Sequence, residues 1–246
     1  MLPWGRFCWQ HCAIRTVPVA HFYIWRKTSM AIKAAIFDLD GVIVDTAKYH
    51  YLAWKRLAGE LGFEFTEKDN ERLKGVSRMR SLEILLEVGG LSGKFSEEEM
   101  LDMAARKNGW YVEHISRMDE SEILPGTVEC LRGFRNLGIK TVLGSASKNA
   151  MLILSNLRLA PYFDAIIDGT KVSKAKPDPE VFLLGAKEAG VKPGECVVFE
   201  DAQAGIEAAK RAGMKAVAIG NPDDLSGYDR IYRGLFEVKP EEIIKI

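Results

Sequence analysis

The sequence predicts an α/β fold, a parallel sheet with helices on both faces, together with an inserted all-α segment. Three observations predict it. Short apolar segments alternate with helical segments from residue 125 onward, as in strands joined by crossover helices. An apolar run ending in Ile36 meets a turn that contains Gly41, which is typical of a buried strand. The chain between these two parts has helical periodicity.

The first strand precedes Asp38, and a series of helices follows it. His50, Trp54, Leu57 and Leu61 recur at steps of three and four residues, and Gly62 ends this helix. Ser96 and Glu99 have the spacing of a capping box. Further helices are predicted over Lys68 to Leu73, Arg80 to Val88, Ser96 to Lys107 and Trp110 to Arg117.

The second part of the chain alternates between helices and strands, with glycines at helix ends. The predicted helices are Thr127 to Leu137, Asn149 to Leu157, Pro179 to Ala189 and Gln203 to Ala212. The predicted strands are Ile139 to Leu143, Ala165 to Ile167, Glu195 to Phe199 and Ala216 to Ile219. The fold class is therefore α/β, Rossmann-like, with a core formed by 31–45 and 125–246 and a helical insert at 46–124.

Residues 1–30 differ from the rest and are expected to form a leader outside the fold. Up to Ser29 the leader has four basic residues and no acid, and Met30 stands directly before the first strand. A basic targeting or surface-binding arm is the alternative. A metal cluster is a weaker hypothesis for this segment, with Cys8, His11, Cys12 and His21 as its members.

Composition limits the function classes. The 34 basic and 34 acidic residues balance, which gives no electrostatic basis for binding nucleic acid or an anionic membrane. No apolar run approaches the roughly 20 residues of a membrane span. The four cysteines have no C-x-x-C spacing, so reduced thiols and a cytoplasmic location are expected. Nothing in the sequence demands more than a monomer.

The candidate catalytic and ligand-binding residues follow four predicted strands. Ligands of such sheets bind beyond the carboxyl ends of the strands, where these residues meet. Asp38 and Asp40 are two residues apart, so on an extended backbone their carboxylates point to the same side. Two carboxylates this close need a cation between them or one protonated carboxyl group. An ionised Asp38 suits a nucleophile and metal ligand, and a neutral Asp40 suits a general acid and base.

The other three strand ends supply an anion site and more acids. Ser145 and its small neighbours allow backbone N–H groups to approach an anion, although Ser147 is equally explained as a helix cap. Pro177 holds Lys176 extended, where its ammonium can neutralise phosphate or carboxylate, although a lone lysine is more often solvated. Glu200 and Asp201 complete an all-oxygen set that favours Mg²⁺.

Four motifs carry a family resemblance. The segments DLDGVIVD, GSASKN, KPDPEVF and EDAQAGI, in this order, resemble the motifs of the haloacid dehalogenase-like phosphotransferases. The helical insert resembles their cap. Thr46, His50, Trp54, the segment KGVSR at 74–78 and the segment RKN at 106–108 are most similar to the beta-phosphoglucomutases. The resemblance spans residues 32–225 and does not include the leader.

This resemblance implies roles for named residues. Asp38 would become an aspartyl phosphate, with Asp40 as acid and base, and Ser145, Ala146 and Lys176 would hold the transferring group. The implied Mg²⁺ ligands are Asp38, the Asp40 backbone carbonyl, Asp201 and the neighbouring Glu200. The implied substrate-binding residues are His50, Trp54, Gly75, Val76, Arg78, Lys107, Ala146, Ser147, Lys148 and Asn149, with Arg78 as the main grip on a second phosphate.

The implied activity is a Mg²⁺-dependent interconversion of beta-glucose 1-phosphate and glucose 6-phosphate through glucose 1,6-bisphosphate. Its partners would be small sugar phosphates. A sugar- or polyol-phosphate phosphatase on the same scaffold is the main alternative, because it would use the same Asp38 and Asp40 with water as the final acceptor. A non-catalytic phosphometabolite sensor is a third hypothesis, which a nucleophile beside an acid disfavours.

Overall fold

The computed structural model describes Met1, residues 31–73 and residues 76–246. Residues 2–30 of the predicted leader and its candidate metal cluster lie outside the described residues, as does Gly75. In the described chain, six strands form one sheet in the order β3-β2-β1-β4-β5-β6, and every pairing is parallel. The strands are β1 (Ala34–Phe37), β2 (Lys140–Gly144), β3 (Ala165–Ile167), β4 (Cys196–Glu200), β5 (Lys215–Ile219) and β6 (Arg230–Tyr232).

Helices precede, connect and follow these strands. Those that the structure describes are α1 (Ala47–Glu60), α2 (Glu67–Glu71), α3 (Arg78–Val88), α4 (Glu97–Ile115), α5 (Thr127–Asn136), α6 (Ala150–Asn156), α7 (Glu180–Glu188), α8 (Gln203–Arg211) and α9 (Pro240–Ile243). None of the helices in this described part of the chain has both the length and the apolar character needed to cross a membrane.

The register of the central strands brings their carboxyl ends to one edge. Phe37 of β1 pairs with Leu143 of β2 and with Phe199 of β4. Asp38 therefore leaves the sheet beside Gly144 and Glu200, the last residues of the two neighbouring strands. This register places the predicted acids and the small-residue loop in one region.

Each strand alternates its side chains between two apolar layers, because successive residues of a strand face opposite sides. One layer contains Phe37, which stacks on Phe199 with ring centroids 4.7 Å apart, and Phe134 of α5. The other contains Ile36 and Phe182 of α7. Strands buried on both faces account for the continuous apolar runs in the sequence.

The segment between β1 and α5 has a core of its own. Trp54, Leu57, Leu82, Leu85 and Met103 belong to an apolar cluster formed by α1, α3 and α4. Two neighbouring connections join this helical segment to the sheet. Val44 bridges Ile123, and the N–H of Leu124 donates to the carbonyl of Ile43 at 3.0 Å. The described residues of 46–124 contain no strand.

The predicted break between two helices at 108–109 is wrong, because α4 is one helix. The capping box is confirmed: the N–H of Ser96 donates to the Glu99 carboxylate at 2.7 Å. Lys107, Tyr111 and Ile115 are buried at four-residue intervals. Burial along this one face outweighs the roughly 1 kcal/mol that an interior glycine costs.

The remaining differences are small and local. From residue 125 to 219, predicted and observed elements differ by one residue at most at either end. α2 begins at Glu67 and α3 at Arg78, so both predicted starts were slightly late. The predictions missed β6 and α9, which are three and four residues long and have no periodicity to detect.

Candidate active site

A buried lysine between two carboxylates forms the centre of the site. Lys176 lies between β3 and α7, and its Nζ is 2.5 Å from Asp38 Oδ1 and 3.0 Å from Glu200 Oε2. The side chains of Lys176, Asp38 and Glu200 are 4%, 9% and 2% exposed. The alternative of a solvated lysine is therefore wrong. Burial alone would lower the pKa of Lys176, but the two carboxylates outweigh it and raise this pKa.

Asp40 lies close to Asp38 on the turn after β1. Burial, followed by the charges of Asp38 and Asp201, raises the pKa of Asp40 well above its usual value. The hydroxyl of Thr46, a buried residue before α1, donates to Asp40 Oδ1. These features favour a protonated Asp40 beside the Asp38 carboxylate that pairs with Lys176, the arrangement that a general acid and a nucleophile require.

Glycine makes room for the acids. Gly41 has φ +78°, and a Cβ there would lie 2.0 Å from the carboxylate of Asp201. A Cβ at Gly205 of α8 would lie 1.9 Å from Glu200 Oε1. Both glycines thus permit a close approach of backbone to carboxylate, which any larger residue would prevent.

The acids form a group that fits a hard divalent cation. Asp38, Glu200 and Asp201 each offer an oxygen, and these atoms lie within 4.8 Å of one another. Burial and then the charge of Asp38 raise the pKa of Glu200 even beside Lys176. The donor set contains only oxygen, as Mg²⁺ prefers. The Asp40 side chain is outside this group, and a ligand role for its backbone carbonyl stays a prediction.

The loop after β2 presents small polar residues beside the acids. Ser145 is buried, its N–H donates to the Ile167 carbonyl at 2.9 Å, and its Oγ accepts from the N–H of Ser147 at 3.1 Å. Ser147 accepts from the N–H of Asn149, the residue that actually precedes α6. The Ser147 hydroxyl therefore makes a capping-type hydrogen bond at the start of α6, although Ser147 is not the residue that immediately precedes the helix. Ala146 and Lys148 are exposed.

A second group of side chains lies in the helical segment. Lys107 of α4 is 2% exposed, and its Nζ is 2.7 Å from Nδ1 of His50 on α1. The same ammonium lies over the ring of Trp54, 4.4 Å from its centroid. Burial and then the charge of Arg78 lower the pKa of Lys107 to about 7. Burial, Lys107 and Arg78 likewise hold the pKa of His50 well below its usual value.

The predicted substrate-binding residues of the helical segment differ from one another in exposure and in contacts. Trp54 is 2% exposed and belongs to the core of the helical segment, beneath Lys107. His50 and Lys107 contact each other between two helices of the same segment. Val76 and Arg78 are exposed, and among the described residues the Arg78 guanidinium forms no ion pair.

The two groups meet at the junction of the helical segment and the sheet. Thr46 binds Asp40, and the Asn149 side chain donates to Asn108 of α4 at 3.5 Å. Sequence reasoning did not assign a role to Thr46 or to Tyr111, whose ring stacks on His50 with centroids 3.9 Å apart. The four-residue spacing of Lys107 and Tyr111 on one helix could have indicated a shared face.

Comparisons with known proteins identify relatives of this chain. A family model described as haloacid dehalogenase-like hydrolase matches residues 32–213. The beta-phosphoglucomutase of Bacillus subtilis (strain 168) is 45% identical over 202 residues, 82% of this chain and 89% of that protein. The phosphorylated carbohydrates phosphatase of Thermotoga maritima is 34% identical over 223 residues, 87% of this chain and 98% of that protein.

A solved structure confirms the predicted fold class. The crystal structure of beta-phosphoglucomutase from Clostridium difficile matches with a TM-score of 0.82 and 45% identity, covering 86% of this chain and 95% of that one. The family match extends over most of the chain, and the predicted motifs lie within or beside the matched range. The chain therefore belongs to the haloacid dehalogenase-like hydrolase family.

Proposed function

We propose that this protein is a Mg²⁺-dependent beta-phosphoglucomutase that interconverts beta-glucose 1-phosphate and glucose 6-phosphate. The single observation that carries the proposal is the pairing of two unlike groups. An acidic group suited to a cation and a phosphoryl group lies beside a helical segment in which, among the described residues, Lys107 and Arg78 form no ion pair, and these two groups suit a second phosphate. The 45% identity to two beta-phosphoglucomutases supports the same activity.

Glucose 1,6-bisphosphate primes the protein: a carboxylate oxygen of Asp38 attacks the phosphorus of one of its two phosphates, and the bond from that phosphorus to the sugar oxygen breaks, which releases a glucose monophosphate. Asp40 gives its proton to the departing oxygen, which its raised pKa favours. The aspartyl phosphate then transfers its phosphoryl group to the free 6-hydroxyl of beta-glucose 1-phosphate, whose proton Asp40 takes, and glucose 1,6-bisphosphate forms. The bisphosphate turns over in the site and gives its 1-phosphate to Asp38, which releases glucose 6-phosphate and restores the aspartyl phosphate.

The charge on the transferring group is balanced by residues at the sheet edge. Lys176 already contacts Asp38, and Ser145 with the Ala146 N–H would hold the remaining oxygens. Asp38, the Asp40 carbonyl, Asp201 and the neighbouring Glu200 would hold Mg²⁺. When bound, Mg²⁺ would supply further positive charge for the phosphoryl group.

The second phosphate would be held by residues from both sides of the junction. Arg78 is the main candidate because a guanidinium binds phosphate in a bidentate manner. Ser147, Lys148 and Asn149 face it from the sheet region, while Lys107 and His50 add positive charge or donors. The backbone of Gly75 and Val76 would contact the sugar.

The helical segment 46–124 would act as a cap over the core formed by 31–45 and 125–246. Its own apolar cluster and its two neighbouring connections suit movement as a unit. Closure would exclude water and so protect the aspartyl phosphate from hydrolysis. We expect the protein to act as a monomer in the cytoplasm, which size-exclusion chromatography and fractionation would test.

A sugar-phosphate phosphatase is the second candidate. The 34% identity to a carbohydrate phosphatase favours it, and Asp38, Asp40 and Lys176 would serve both activities. The positive charge of Arg78 and Lys107 separates the candidates, since hydrolysis of a monophosphate needs no second phosphate grip. A phosphometabolite sensor would not need the nucleophile beside the acid.

The test is a Mg²⁺-dependent assay with beta-glucose 1-phosphate and a trace of glucose 1,6-bisphosphate. Glucose 6-phosphate and free phosphate are followed together, and Asp38→Asn serves as the blank. We expect glucose 6-phosphate to form well ahead of free phosphate. Stoichiometric phosphate release with little glucose 6-phosphate would establish the phosphatase instead.

A further inference from the structure

The hydroxyl of Tyr111 is a buried polar atom without a hydrogen-bond partner among the described residues. Tyr111 lies on α4 and is 0% exposed. A buried hydroxyl without a partner costs free energy, because it gives up its bonds to water and receives none in return. Such an atom in an enzyme calls for a functional explanation.

The surroundings of this hydroxyl locate it at the junction of the helical segment and the sheet region. The hydroxyls of Thr46 and Ser147 lie close enough to the phenol to lower its pKa as hydrogen-bonding groups, but neither meets the geometry of a hydrogen bond with it. Asp40 and Arg78 also act on the phenol from nearby. Tyr111 therefore lies among the candidate general acid, the loop after β2 and the candidate phosphate-binding arginine.

The rest of the side chain is held firmly. The Tyr111 ring stacks on His50 with an interplanar angle of 25°, and the Lys107 ammonium lies 5.1 Å from the ring centroid. A phenol fixed on both sides can place its hydroxyl accurately and at small entropic cost. Packing explains the ring, but it does not explain the unpartnered oxygen.

We propose that the Tyr111 hydroxyl donates a hydrogen bond to the second phosphate of the substrate, the one that Arg78 and the loop 147–149 would hold. This assignment rests on the proposed function. The phenolic hydroxyl can donate one hydrogen bond. The nearby positive charges of Arg78 and Lys107 favour an anionic oxygen as its acceptor. Because the hydroxyl is covered, the helical segment must move away from the loop to admit the ligand.

The test is Tyr111→Phe, which removes one oxygen and keeps the ring on His50. We expect mutase kcat/KM and affinity for glucose 1,6-bisphosphate to fall about 10- to 100-fold, the range for a hydrogen bond to a charged group. Phosphorylation of Asp38 by acetyl phosphate should stay unchanged, because this donor carries no second phosphate. The melting temperature should stay level or rise, since an unpartnered hydroxyl is lost.

The matched control is Tyr51→Phe, a tyrosine of α1 whose hydroxyl is 3.5 Å from the Phe65 carbonyl and away from the site. We expect this variant to keep wild-type kinetics. Unchanged affinity for glucose 1,6-bisphosphate in Tyr111→Phe would overturn the proposal. Equal losses with acetyl phosphate and with the sugar would also overturn it, since they would place the hydroxyl at the transferring group.

Measurements on the wild-type protein distinguish failure of the proposed function from failure of the Tyr111 assignment. Release of free phosphate instead of glucose 6-phosphate by the wild-type protein would contradict the proposed function, whatever the variant does. If the wild-type protein binds glucose 1,6-bisphosphate no more tightly than a monophosphate, there is no second phosphate site and the Tyr111 assignment fails with it. A functional wild-type protein with an unaffected Tyr111→Phe variant contradicts the Tyr111 assignment alone.

Discussion

The acidic group at the sheet edge and the basic group in the helical segment are opposite in charge and in construction. At the sheet edge, Lys176 is paired with Asp38 and Glu200, and the excess charge is negative. In the helical segment, Lys107 is buried with His50 as its neighbour, and the charge of Arg78 opposes its protonation. The first group suits a cation, and the second suits an anion.

The two groups would have different roles in the proposed reaction. Residues that transfer the phosphoryl group need fixed geometry, and they lie on the rigid ends of paired strands. Several residues proposed to recognise the rest of the substrate lie on helices joined to the sheet by two short connections. The substrate and Mg²⁺ together would neutralise both groups, so ligand binding and closure of the segment would support each other.

The largest effect is expected at the sheet edge, from Asp40→Asn. Loss of the proton donor and acceptor should reduce mutase kcat about 10²- to 10⁴-fold, the usual contribution of general acid and base catalysis. Steady-state assays with beta-glucose 1-phosphate measure it. Asp223→Asn, an exposed acid in the chain after β5, should stay within about twofold of wild type. A nearly active Asp40→Asn variant would remove Asp40 from the chemistry.

The matching change in the helical segment is Arg78→Ala. Removing the guanidinium should weaken binding of glucose 1,6-bisphosphate about 10- to 100-fold and leave phosphorylation by acetyl phosphate intact. Isothermal titration and phosphoprotein mass measure the two properties. Arg80→Ala is the control, because this exposed arginine of the same helix already pairs with Glu83 and Glu87. Equal losses in both variants would show a general charge effect and not a specific contact.

The cation-binding role of the acidic group can be tested by thermal stability, without an activity assay. Mg²⁺ at about 100 times its dissociation constant should stabilise the folded protein by about 2.7 kcal/mol, which raises the melting temperature by several degrees. Asp201→Asn should lose most of this rise, whereas Arg78→Ala should keep it. The same rise in both variants would place the cation outside the acidic group, and its absence from wild type would contradict a Mg²⁺ site there.

The smallest effect is expected from Lys107→Met, and it depends on pH. The pKa of Lys107 is about 7 in the folded protein, below its unfolded value of 10.5. The unfolded chain therefore binds more protons between these values, so this group destabilises the protein fully below pH 7 and progressively less as the pH rises toward 10.5. Lys107→Met should raise the melting temperature by about 2–6 °C near pH 7.

Thermal unfolding at pH 7 and at pH 9.5 tests this sign. The advantage of Lys107→Met over wild type should narrow at the higher pH. The control is Lys55→Met, an exposed lysine of α1 near the ring of Tyr51, which should show no pH-dependent difference. A Lys107→Met variant less stable by the same amount at both pH values would mean that its contacts with Trp54 and His50 outweigh the cost of burial.

The sequence predicted the sheet edge better than the helical segment, for a physical reason. Asp38, Lys176 and Glu200 follow short apolar strands, and the carboxyl ends of parallel strands must meet at one edge. No such rule applies to helices, whose contacts depend on which faces pack together. The burial of Lys107 and the position of Tyr111 therefore required the structure, as did the unbroken α4 through Gly109.

Transfer from the phosphorylated protein to sugar tests the central claim most directly. The protein is labelled on Asp38 with radiolabelled acetyl phosphate, freed of the excess reagent and mixed with beta-glucose 1-phosphate in a rapid-quench experiment, with Asp38→Asn as the unlabelled control. We expect the label to pass into glucose 1,6-bisphosphate and glucose 6-phosphate faster than into free phosphate. Release of the label as free phosphate at a rate independent of the sugar would contradict a mutase.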